Sequence, residues 1–151
     1  MATKIIFCDA VNNYAFRELK KELPDLELVS TQQYDEIVRV GDAPIIVYSW
    51  VVNSIPEDWF TREDLIVYNI YSNSDEDIRN IYDVLVEQCF KDYEVAAERV
   101  NKFIDNYSSQ VFSKFDYDYI SLYSASAIEP AEEEGGRMNM VITLRVGYRR
   151  I

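Results

Sequence analysis

Two strand-like runs near the end of the chain, separated by a glutamate-rich segment closing on two glycines, restrict the fold more than any other feature. In residues 117–123 and again in residues 138–146, β-favouring side chains alternate with small or polar ones, as a strand with one buried face requires. Between them lie Glu129, Pro130, Ala131, Glu132, Glu133, Glu134, Gly135 and Gly136. Pro130 lacks a donor, the glycines admit positive φ, and four carboxylates repel one another, so this segment is expected to turn the chain and stay out of the ladder. The two runs therefore read as one long β-hairpin.

The rest of the chain divides by period. Val11, Ala15, Leu19 and Leu23 fall at helical spacing with Tyr14 and Phe16 beside them, against a polar face of Arg17, Glu18, Lys20, Lys21 and Glu22. Pro24 ends that helix. Residues 4–9 read either as a short buried strand or as first helical turns. Residues 26–29 and 36–40 are candidates for short strands, and residues 41–44 are expected to turn the chain into residues 45–52. That nearly continuous apolar run predicts a central strand covered on both faces or lying at a subunit contact. Residues 65–71 form a further strand that ends at Ser72, Asn73 and Ser74.

Ser74 with Asp77 three positions on matches an acidic capping box, and Asp75, Glu76 and Asp77 complement a helix dipole. Ile78, Ile81, Tyr82, Leu85 and Cys89 make its inner stripe. After Asp92 a second helical pattern uses Val95, Ala96, Val100, Phe103, Ile104, Tyr107 and Val111; no Gly or Pro decides whether the two form one bent helix or two. This order favours an α+β fold, a mostly antiparallel sheet with helices packed on it, over a regular βαβ array. Residues 1–151 are expected to form a single domain.

A net charge of −12 argues against ordinary nucleic-acid binding, which needs phosphates neutralised by Lys and Arg. The charge is uneven, because residues 137–151 hold Arg137, Arg145, Arg149 and Arg150 and no acid. Those arginines either attract a neighbouring subunit or neutralise carboxylates of their own chain. Cys8 and Cys89 both sit in apolar runs, so buried free thiols in a reducing cytoplasm are expected. The apolar run at residues 5–8 is too short for a secretion signal, and no run reaches the length of a membrane span.

The chain has no histidine, which removes Ser-His-Asp, Cys-His and histidine-based zinc sites together. Four glycines leave no phosphate-cradling loop. Neither a catalytic set nor a cofactor or metal is expected. Asn73, Asp75 and Asp77 mimic the start of a calcium loop, but Ile78 replaces its glycine and Val84 its closing glutamate, so the helix cap accounts for them better. Asp9 after an apolar run suggests the acidic end of a phosphoacceptor strand, yet no later strand end supplies the partners. The residues left as candidate subunit or partner contacts are Glu129, Glu132, Glu133, Glu134, Arg145, Arg149 and Arg150, with Trp59 and Phe60 in a loop that either packs on the core or anchors an interface.

The layout resembles the tail terminator and tail-completion (neck) proteins of long-tailed bacteriophages. Four parts carry the resemblance: the short helix ending at Leu23; the run Ala43, Pro44, Ile45, Ile46, Val47, Tyr48 entered from a proline; the strand of residues 65–71 leading into the Ser74-capped helix; and the final hairpin ending in Val146, Gly147, Tyr148, Arg149, Arg150. The longer helical segment of residues 92–112 and the possible strand at residues 5–8 depart from it. The resemblance implies a non-enzymatic virion protein, assembled in a host bacterial cytoplasm. It would form a homo-oligomeric ring, typically a hexamer, on the head-proximal end of the tail tube, between the tail tube protein and the head connector or neck protein. No sequence-specific nucleic-acid binding and no membrane contact are implied. The alternative is a small acidic protein that inhibits a host nucleic-acid-binding protein by presenting clustered carboxylates.

Overall fold

The computed structural model describes residues 7–30, 44–52, 62–104, 115–131 and 137–150. Helix α1 spans Cys8–Glu22. Cys8 and Asp9 are thus helical, while Lys4, Ile5 and Ile6 lie outside the described residues. Asp9 in its first turn and Lys20 and Lys21 in its last oppose the helix dipole. The Leu23 N–H closes the end on Leu19 O at 2.9 Å, one residue before Pro24.

Strand β1 (Glu27–Ser30) lies parallel to β2 (Ile45–Val51), and β2 is antiparallel to β3 (Arg62–Ser72). β3 starts earlier than its hydrophobic run suggests, taking in Arg62, Glu63 and Asp64. Helix α2 (Asp75–Tyr82) follows under the expected cap, with Ser74 Oγ accepting from the Asp77 N–H at 3.3 Å. It continues as a wider π-helical stretch over Asp83–Cys89, closed by the Phe90 N–H on Leu85 O at 2.9 Å. Helix α3 (Tyr93–Phe103) is separate, because Asp92 restarts the ladder by accepting from the Glu94 and Val95 N–H groups, both at 3.1 Å. The long helical region is therefore two helices. Tyr107, Val111, Trp59, Phe60 and the expected strand at residues 36–40 lie outside the described residues.

The C-terminal hairpin is present as β4 (Phe115–Ala125) and β6 (Arg137–Arg150), antiparallel. Strand β6 lies between β3 and β4, so the order is β1-β2-β3-β6-β4. The expectation that the acidic segment contributes nothing to the ladder fails at its start. Glu129–Ala131 form β5, with Glu129, Pro130 and Ala131 opposite Asn139, Met138 and Arg137. Such a strand accepts a proline at the sheet edge, where the missing N–H interrupts no interior ladder.

Burial alternates cleanly along β3, where Asp64, Ile66, Tyr68, Ile70 and Ser72 are buried and the residues between them half-buried. All three helices pack on that buried face. Their buried residues, among them Val11, Leu19, Ile81, Leu85, Phe90 and Val100, join Ile46, Ile66, Tyr68, Ile142, Leu144 and Val146 in one core. Phe7 stacks on Tyr148 with ring centroids 5.0 Å apart, and the Tyr117 hydroxyl donates to Phe7 O.

Two expectations about covering need correction. On α3 the inner stripe is Ala96, Ala97, Val100 and Ile104, whereas Val95 is exposed; the Asp92 cap fixes the rotation of the first turn and leaves Val95 on the outer side. Only the first three residues of β2 are buried; Trp50 and Val51 are 45% and 48% exposed. β1 pairs no further than Ser30 with Tyr48, so beyond Tyr48 β2 has a neighbouring strand on one side only among the described residues.

Candidate subunit-contact surface

The second face of the sheet carries none of the described helices. Its register rows bring together Val51 and Leu65, then Ser49, Val67 and Thr143, then Asn69 and Val141, then Tyr71 and Asn139. Val29, Ile45 and Val47 form a small buried cluster at the β1–β2 end, against which Tyr71 packs. Leu65, Val67, Tyr71 and Val141 remain half-exposed and Val51 exposed. Period-two alternation produces this face directly: the residues skipped by the helix-side core include the aliphatic Val51, Leu65, Val67 and Val141.

Towards β4 the same face turns charged. Arg145 Nε stands 3.7 Å from Glu63 Oε1, and Arg149 Nη2 lies 2.6 Å from Asp116 Oδ2 and 3.4 Å from Asp118 Oδ1. Tyr119 on β4 reaches over β6 to donate its hydroxyl to Glu63. Of the two readings of the terminal arginines, Arg145 and Arg149 follow the second: each is paired within its own chain. These pairs are more than a third exposed, so each contributes little to stability and can exchange partners.

The remaining candidates are scattered. Glu129 is exposed on β5, and Arg150 pairs with Phe115 in the ladder. Glu132, Glu133 and Glu134, like Trp59 and Phe60, lie outside the described residues. Sequence reasoning missed Trp50, an exposed aromatic at the end of β2, and Leu122 and Tyr123, exposed on β4. All three sit within apolar or alternating runs that look buried. Only the short reach of β1 and the placing of the helices reveal their exposure.

Among the described residues no three or more Cys, Asp and Glu side chains cluster so as to hold a metal ion. Asp75 pairs with Arg79 at 2.9 Å, and Asp77 donates its backbone N–H to the Ser74 cap, which accounts for the calcium-like spacing. Asp9 lies in a helical turn rather than at a strand end. Burial, with Asp9 beside one and Glu18 near the other, pushes the Cys8 and Cys89 thiols up to about 12, so both are held as unreactive thiols. Among the described residues no helix is long and apolar enough to cross a membrane. No family model matches the chain, and no curated protein matches it.

Proposed function

We propose that this chain is a structural subunit of a bacteriophage virion, a tail terminator that assembles into a ring on the head-proximal end of the tail tube, ends tube polymerisation and joins the tail to the head connector. The observation that carries the self-association half of this reading is the sheet face without helices, where Val51, Leu65, Val67, Tyr71 and Val141 retain exposure beside the ion-paired rows of Glu63, Arg145 and Arg149. Exposed apolar side chains gathered on one sheet face mark places where another protein surface docks. A polar margin that can exchange ion pairs between copies suits a symmetric assembly. The tail-specific half rests on the resemblance in element order. A net charge of −12 agrees with it physically, since an acidic lumen repels phosphates and lets DNA pass without adhering.

Light scattering after size-exclusion chromatography, with negative-stain images of the same fractions, tests the reading. The expected result is a closed ring with a central hole, either free or formed on purified tail tubes. A strict monomer that fails to cap the tubes would overturn it. In that case a single stoichiometric nucleic-acid-binding protein, captured from host lysate and released by salt, would favour the inhibitor reading.

A further inference from the structure

We draw no further inference here: the strongest candidate, the outer edge of β4 where Leu122 and Tyr123 are exposed, carries nothing because nothing in the structure shows what covers it.

Discussion

The ring of Tyr119 on β4 lies across the backbone of Gly147 on β6, so close that a β-carbon at position 147 would stand 2.2 Å from Tyr119 Cε1. Gly147 is opposite Glu63 in one register and Tyr119 in the other. One row thus runs over three strands with a glycine in the middle, and the aromatic ring bridges the gap to deliver its hydroxyl to Glu63. Gly147→Ala should therefore expel the ring and cost about 1–3 kcal/mol, the usual range for overpacking. Urea denaturation measures it. Adding Tyr119→Ala should recover part of the loss, so the double variant should be less destabilised than the two single changes together.

Stability should fall at alkaline pH, starting near the ordinary thiol value. Cys8 and Cys89 are raised from 9.0 to about 12, chiefly by burial, and burial likewise raises Tyr68, Tyr117 and Tyr148 above their usual 10.0. Each group is neutral when protonated, and its folded value lies above its unfolded one. The stabilisation is then complete below pH 9 and is lost as pH rises through the window between 9 and 12. The urea midpoint should stay flat from pH 7 to about 8.5 and drop beyond it; a midpoint still constant at pH 10.5 would contradict this assignment of the buried groups. The same burial predicts that a thiol reagent modifies neither cysteine at neutral pH until urea unfolds the chain.

The helix starts at Ser74 and Asp92 carry a third prediction. Ser74→Ala and Asp92→Ala each remove the side-chain acceptor of a helix N-terminus, and each should cost about 1 kcal/mol. Ser74→Asp should retain most of the stability, because the lost acceptor is replaced. Circular dichroism during thermal unfolding of the variants checks both statements.

The Ser74 cap is legible in the sequence because it is local: Ser74 and the N–H it receives are three residues apart. The strands of the hairpin were legible for a similar reason, since side-chain alternation is written in consecutive residues such as Met140, Val141 and Ile142. What stayed hidden depends on distant partners. The exposure of Trp50 follows from β1 ending at Ser30, and the pairing of Arg149 joins it to Asp116, 33 residues earlier. Pro130 looked unable to join a ladder because composition does not state that its strand would be an edge.

Asn101 carries the last prediction, because it closes part of a sheet edge. Among the described residues strand β4 is the end of the strand order, and an edge strand invites pairing with another chain. At Tyr117 the Asn101 side chain imitates a neighbouring strand: its Nδ2 donates to Tyr117 O at 2.9 Å, and its Oδ1 accepts from the Tyr117 N–H at 3.0 Å. The register shifts on either side of Tyr119 to Leu122 further break the regular edge. Asn101→Leu keeps the side-chain volume but removes both bonds, leaving a part-buried N–H and C=O to find water. The expected cost is about 1–3 kcal/mol, with faster hydrogen exchange at the Tyr117 amide. Exchange should quicken there while the amides of β3, paired on both sides, keep their protection. Uniform quickening across the sheet would instead mean that Asn101 stabilises the whole fold and does not specifically guard the β4 edge.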